Sequence, residues 1–208
     1  MIITFIAPPA AGKGTHALKV SQKLGIPHLS TGDLLRNVED EKIKKQMLEG
    51  SLISDDTVFE LLKERIKRED CKNGYVLDGF PRNLNQAKLL DEIIDNNMMV
   101  IILDLEKDVA EKRIIGRRSC PECGAVFNEL VDSAKPKVSG ICDNCSHELI
   151  SRADDNIETF NERYQTYLKE TYPLINYYEE KGIAYHVDSS KSIDNTFSEI
   201  EGILNDNH

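Results

Sequence analysis

IITFIAPPAAGKGT (Ile2–Thr15) is an apolar, β-rich run that ends in Gly12-Lys13-Gly14-Thr15. Residues 2–6 predict a buried strand. Ala17, Leu18 and Leu24 recur at helical spacing and predict a helix from Gly14 to Leu24, stopped by Gly25. A strand entering a helix through such a turn aims backbone N–H groups and the helix dipole at an anion. The phosphate-loop pattern is G-x-x-x-x-G-K-[ST]. Here Ala7 holds the first glycine position, and residue 10 is also alanine. The stretch is either a phosphate loop with two glycines replaced or an ordinary strand-to-helix turn, and the rest of the chain must decide.

Outward from that turn, strands and helices alternate. His28–Ser30 predicts a short strand, and Thr31-Gly32-Asp33 opens a helix with Leu34 and Leu35 on its inner face. Glu39–Leu48 predicts a charged helix ended by Gly50. Ser54 caps a helix over Asp55–Arg68, whose stripe is Val58, Leu61, Leu62 and Ile66. Further strands are expected at Tyr75–Asp78, Met99–Asp104 and Ala184–Val187. Helices are expected at Leu84 to about Ile94, Val109–Arg117, Asn156–Lys169, Pro173–Lys181 and Ile193–Leu204. Such alternation predicts an α/β fold: a parallel sheet with helices on both faces. Ligands of such sheets sit beyond the carboxyl ends of the strands. The segments to inspect are therefore APPAAGKGT, STGDLLR, DGFPR, DLEKD and VDSSK.

The chain of 208 residues carries a net charge of −10, which opposes non-specific binding to nucleic acid or anionic membrane. Its longest apolar run, Met98–Leu103, is far too short to span a bilayer. The N-terminus lacks a basic region followed by a long apolar core, so a cytoplasmic location is expected. Within this acidic chain the arginines cluster as Arg36, Arg82, Arg113, Arg117, Arg118, Arg152 and Arg163. Each alone reads equally as a surface ion pair or as part of an anion site, because the guanidinium fork matches a phosphate.

Residues 120–150 break the rhythm, being rich in Gly, Pro, Lys and Cys, with a strand-like piece at Ala125–Phe127. Cys120-x2-Cys123, eighteen residues, then Cys142-x2-Cys145 is the spacing of a tetrathiolate zinc site. Disulfides are the competing reading, and the missing secretory signal weakens it. Four cysteines leave no open coordination position, so the metal is expected to be structural zinc. Cys71 stands apart and is expected to be buried or idle.

Phosphoryl transfer needs positioning and positive charge. Lys13 stands at the glycine turn. Asp78 ends an apolar strand, a place to hold Mg²⁺ through water, and Arg82 lies four residues on. Arg113 and Arg117 are spaced i, i+4 and predict one helix face. Arg152, Asp154, Asp155 and Arg163 follow the cysteine segment.

In this order the chain resembles the adenylate kinases of the type with a zinc-bearing lid, over nearly its whole length. The motifs are STGDLLR (Ser30–Arg36), LDGFPR (Leu77–Arg82) with Gln86, Gly116-Arg117-Arg118, the cysteine quartet, and Arg152–Asp155 with Arg163. The resemblance implies ATP + AMP ⇌ 2 ADP with Mg²⁺, in a monomer. It implies a P-loop core with a five-stranded parallel sheet over residues 1–29, 54–117 and 154–208. An AMP-binding helical insert at 30–53 and a small zinc-ribbon lid at 118–153 complete it. It also implies roles. Ala10, Ala11, Gly12, Lys13, Gly14 and Thr15 hold the ATP phosphates. Arg117 reaches those phosphates too. Arg113 and Lys191 lie on the adenine side, and Val126 and Phe127 on the lid side. Thr31, Arg36, Ser51, Leu52, Ile53, Gly79, Phe80, Pro81, Arg82 and Gln86 hold AMP, with Gln86 reading the base. Arg152 and Arg163 neutralise the transferring group. Asp78, Asp154 and Asp155 serve Mg²⁺ waters and the closed lid.

The chain departs from the family at Ala7 and Ala10, in a shorter segment between Arg36 and Gly50, and at Phe127-Asn128, where a Tyr-His pair is common. Two other readings stay open beside adenylate kinase: a kinase for another nucleoside monophosphate, and, outside the enzymes, a nucleotide binder that has lost catalysis through its altered loop. A zinc-ribbon interaction module leaves DGFPR and GKGT unexplained.

Overall fold

The computed structural model describes residues 1–36, 53–94, 97–151 and 155–207, so the helix expected over Glu39–Leu48 lies outside the described residues. The elements follow the predicted alternation: β1 (Ile2–Ile6), α1 (Lys13–Leu24), β2 (His28–Ser30), α2 (Thr31–Arg36), α3 (Asp55–Ile66), β3 (Tyr75–Asp78), α4 (Leu84–Asp91) and β4 (Met98–Asp104). Then come α5 (Lys107–Gly116), β5 (Arg117–Ser119), β6 (Val126–Asn128), α6 (Ile157–Thr166), α7 (Pro173–Glu180), β7 (Ala184–Asp188) and α8 (Ile193–Asp206). Five strands form one parallel sheet in the order β2-β3-β1-β4-β7, while β5 and β6 pair apart from it as an antiparallel ribbon.

The chain packs as two units. The first comprises Met1–Ile6, His16–Ile102 and Glu170–Tyr185; the second comprises Ala7–Thr15, Leu103–Lys169 and His186–His208. In the first unit, β1 is central because both its faces are apolar: Ile3, Phe5 and Ile6 are buried, and Thr4 spends its hydroxyl on Phe80 O at 2.7 Å. Phe5 stands opposite Asp78, and Asp78 opposite Ser30, so β1, β3 and β2 run in step to their carboxyl ends. The core of this unit joins Ile6, Leu29 and Leu77 from the sheet to Phe59 and Leu62 of α3, Leu90 of α4 and Leu174 and Tyr178 of α7.

Local chemistry sets the start of four helices. Ser54 caps α3 by accepting from Thr57 N at 3.2 Å, Asn83 caps α4, Asn156 caps α6 and Ser192 caps α8. α3 stops at Ile66 rather than Arg68, where the chain tightens into a 3₁₀ turn at Glu69–Cys71. Arg65 reaches over that turn to fork Asp70 and touch the buried Cys71 thiol at 3.1 Å. Burial pushes that thiol's pKa up, as for an unreactive core cysteine.

One expectation is overturned. Arg113 and Arg117 do not share a helix face. α5 ends at Gly116, and Arg117 has ψ 134, already extended, as the first residue of β5. Gly116 lies against the side chains of Asn128 and Leu130 from the returning ribbon, which leave no room for a Cβ. Asn128 Nδ2 then donates to Arg113 O at 2.7 Å. A long-range partner satisfies the helix end, and the chain turns into the ribbon.

Candidate functional site

In the second unit the loop after β1 passes Pro8, Ala10, Ala11 and Gly12 before α1 begins at Lys13. Ala11 N–H donates to Pro8 O at 3.3 Å and closes the turn. Ala10 has φ 65 and Gly12 φ 83, both left-handed, whereas Ala7 does not. Only one of the two alanines therefore occupies a conformation that favours glycine. Ala10 packs against the buried cluster of Ala110, Ile114 and Phe160, so its methyl group has apolar company. Gly12, Lys13, Gly14 and Thr15 stand at the helix N-terminus, the geometry that receives an anion.

The cost at Ala10 is testable. A left-handed alanine costs roughly 1–2 kcal/mol, and glycine gives back about 0.4–1 kcal/mol through a freer unfolded chain. Ala10→Gly is therefore expected to raise the melting temperature by about 1–3 °C, read by calorimetry. A lower melting temperature would show that strain at this position does not outweigh the chain entropy that glycine adds.

Ser189, just past β7 in the VDSSK segment, is a loop support to which sequence reasoning gave no role. It is buried and donates to Ala11 O at 2.6 Å. Arg113 lies against the same turn, within 3.5 Å of Ser189 Oγ, 3.4 Å of Ser190 O and 3.3 Å of Lys191 O. Burial lowers the Arg113 pKa from its ordinary value, opposed by Asp188. Ala11, Arg113 and Lys191, expected from sequence on the ATP side, are thus joined in one network: Ser189 links Ala11 to Arg113, and Arg113 meets the Lys191 carbonyl. Lys191 also pairs with Glu199 and lies 3.8 Å from Asp188.

Arg117 forks Asp155, Nε to Oδ2 at 2.9 Å and Nη2 to Oδ1, with the Asp155 side chain 1 % exposed. These residues flank the cysteine-rich segment, and Ser119 and Ile150 exchange both backbone hydrogen bonds at 2.8 and 2.9 Å. The two ends of that segment are stapled together at its root. Arg163 lies on α6 between Phe160 and Tyr164, two of the residues that pack beneath the loop. Arg152 and Asp154 lie outside the described residues.

The four cysteines converge. Their sulfurs all lie within 4.8 Å of one another, with Cys120–Cys145 at 3.3 Å and Cys123–Cys142 at 3.5 Å. Tetrahedral zinc with Zn–S near 2.3 Å needs sulfurs about 3.8 Å apart, so the donor set fits. Two matching knuckles build it. Gly124 N donates to Cys120 O at 3.1 Å and Ser146 N to Cys142 O at 2.9 Å, and the fourth residue after each first cysteine is left-handed, Gly124 at φ 73 and Ser146 at φ 61. The Cys123 backbone amide holds the Cys120 thiol down to about 6. Cys145 is drawn down by the His147 amide, yet its sulfur neighbours, Cys120 foremost, push it up to about 12. Four thiols this close do not all ionise without a cation. Val126 is exposed and Phe127 half-buried against this knuckle pair.

In the first unit the DGFPR turn is held from several sides. Thr31 Oγ1 lies 3.1 Å from Gly79 O, Arg82 Nε donates to Gly79 O at 2.9 Å, and Thr171 Oγ1 donates to Arg82 O at 2.7 Å. Gly79 has φ +87, and a Cβ there would meet Thr31 Oγ1 at 2.7 Å, so both conformation and space require glycine. Phe80 and Pro81 are buried, and the bond between them is cis. Asp78 Oδ2 lies 3.3 Å from His28 Nε2 across the β2–β3 pair. Gln86 is 5 % exposed, its amide set between Asp55 and the Arg82 backbone. Thr31, Asp78, Gly79, Phe80, Pro81, Arg82 and Gln86 are therefore brought together. Ile53 is half-buried just before Ser54. Arg36 ends α2, its side chain outside the described set, as are Ser51 and Leu52.

Comparison with known proteins follows the same outline. A family model described as adenylate kinase matches residues 5–183. An adenylate kinase of Caldanaerobacter subterraneus subsp. tengcongensis is 42% identical over 214 residues, covering 98% of this chain and 96% of the relative. That of Archaeoglobus fulgidus is 44% identical over 98% of each chain, and that of Clostridioides difficile 42% over 98% of each.

Proposed function

The chain belongs to the adenylate kinase family, and from that premise we propose that it transfers a phosphoryl group reversibly between ATP and AMP, giving two ADP. The observation that carries the reading is the left-handed Gly12 followed by Lys13 at the first turn of α1, a phosphate cradle at the head of a helix. Lys13 and the 10–15 backbone hold the ATP phosphates, with Arg113 and the Ser190–Lys191 backbone on the adenine side and Val126 and Phe127 on the lid side. Thr31, Arg36, Ser51, Leu52, Ile53, Gly79, Phe80, Pro81, Arg82 and Gln86 hold AMP. Arg117 reaches the ATP phosphates, and Arg152 and Arg163 offset charge on the transferring group, as phosphoryl transfer requires. Residues 30–53 and 118–153 act as substrate inserts on a core of 1–29, 54–117 and 154–208, and the protein works as a cytoplasmic monomer.

Mg²⁺ enters with the nucleotide and neutralises phosphate charge. Asp78 and Asp154 serve its waters, and Asp155, both of its oxygens engaged by Arg117, serves the closed lid; Asp78, at the end of β3 beside His28, supplies a hard oxygen of the kind Mg²⁺ takes. Zn²⁺ held by Cys120, Cys123, Cys142 and Cys145 is structural. No helix among the described residues is long and apolar enough to cross a membrane.

The test is a coupled assay of ADP formation from Mg-ATP with AMP, UMP, GMP and CMP. AMP is expected to be used far better than the others. Comparable turnover of UMP or GMP would favour the kinase-for-another-monophosphate reading instead.

A further inference from the structure

Asp55 and Gln86 come from different helices, 31 residues apart in sequence, and meet at 2.6 Å, Gln86 Nε2 donating to Asp55 Oδ1. On its other side the Gln86 amide oxygen accepts from Arg82 N–H at 2.7 Å. Neither partner can exchange roles: a carboxylate only accepts, and a backbone N–H only donates. Turning the amide over would set oxygen against oxygen at Asp55 and N–H against N–H at Arg82. Gln86 is 5 % exposed, so water gives little relief. The hydrogen-bond network, which is what assigns amide orientation, admits one answer here.

Asp55 is itself held. Asn83 Nδ2 donates to its two oxygens at 3.2 and 3.0 Å, and Asn85 Nδ2 donates to Oδ2 at 3.3 Å. Asn83 also accepts from Gln86 N at 2.9 Å, so the residue that caps α4 serves the same knot. Three side-chain amides converge on one carboxylate.

We propose that Asp55 is a specificity-determining residue: by pinning the Gln86 amide in one orientation, it commits the monophosphate site to a 6-amino purine and against a 6-oxo purine. The inference rests on the reading of Gln86 as the residue that meets the base. A primary amide has two N–H donors and two acceptor lone pairs. Asp55 and Arg82 consume one of each, and the remaining N–H and lone pair are presented in a fixed order. Adenine offers an acceptor at N1 beside a donor at N6. Hypoxanthine offers a donor at N1 beside an acceptor at O6, in nearly the same shape. An amide free to turn over serves both bases, whereas a pinned one serves one. Sites whose buried polar groups are left unpaired by the wrong ligand discriminate strongly.

The experiment measures kcat/KM for AMP and for inosine monophosphate, with Mg-ATP as donor, in the wild type and in Asp55→Ala and Asp55→Asn. Alanine removes the anchor. Asparagine keeps the shape and the fold but offers one acceptor and one donor to three donor amides, so Gln86 gains an alternative. Both variants are expected to narrow the AMP:inosine monophosphate ratio by about tenfold or more, the size of one lost hydrogen-bond discrimination, while KM for ATP stays put. A merely structural loss lowers both substrates together and leaves the ratio unmoved. A ratio within twofold of wild type in Asp55→Asn overturns the inference, whatever Asp55→Ala does. A wild type that fails to phosphorylate AMP overturns instead the reading on which the inference rests.

Discussion

Lys13→Ala is expected to lower kcat/KM for phosphoryl transfer by about three orders of magnitude, the loss of roughly 4 kcal/mol of transition-state stabilisation. The first turn of α1 supplies backbone N–H groups and about half a positive charge from its dipole. Those groups are fixed and would hold a phosphate without following its movement. The Lys13 ammonium is a full charge on a flexible stem and can stay with the phosphoryl group as it transfers. Alanine is a good helix former at the same position, so the loop persists without its mobile charge. Nucleotide binding by calorimetry separates the two contributions: ATP is expected to bind, more weakly, while turnover nearly vanishes. Turnover within tenfold of the wild type would place the phosphate chemistry elsewhere in the chain.

Removing the metal is expected to have the largest effect on stability, confined to one part of the chain. The segment between Ser119 and Ile150 buries only a small cluster of Cys120, Cys142 and Leu149, with Ala125, Phe127 and Cys145 half-buried against it. Two of its three buried members are sulfur donors. Leu130 and Val138 are 59 % and 62 % exposed and add nothing to a core. A structural zinc in such a site contributes on the order of 10–16 kcal/mol at neutral pH, more than so few apolar groups can supply. Elemental analysis is expected to find about one zinc per chain, as a tetrathiolate site predicts. Chelation is expected to abolish amide protection over 119–150 in hydrogen exchange, leave the sheet protected, and depress turnover. Metal-free protein with unchanged protection and melting would refute a structural metal.

What could be read from the chain was local. β3 is bounded by Gly74 and Gly79, and its observed limits, Tyr75–Asp78, are those its residues predict. Ser54 announced α3, and the paired C-x2-C spacing announced a quartet of sulfurs that do converge. Arg117 was misplaced because the i, i+4 spacing from Arg113 is indistinguishable from a continuing helix. What ends α5 is Asn128, fifteen residues from the carbonyl it meets, and no local pattern announces it. The roles of Ser189 beneath the loop and Asp55 behind Gln86 were missed for the same reason. Their contacts span 178 and 31 residues, and a serine or an aspartate beside a helix cap looks like ordinary capping chemistry. Ala10 shows the converse. Sequence marked it as standing at a glycine position, and its φ of 65 bears that out, while Ala7 needs no such conformation.

The most direct test of the central claim needs one nucleotide and no coupling enzyme. ADP with Mg²⁺ is mixed with the protein and followed by phosphorus magnetic resonance. Reversible transfer between bound nucleotides predicts that ATP and AMP appear together in equal amounts, reach a steady ratio with the remaining ADP, and release no inorganic phosphate. ADP that persists unchanged, or decays to AMP and free phosphate, would contradict the account.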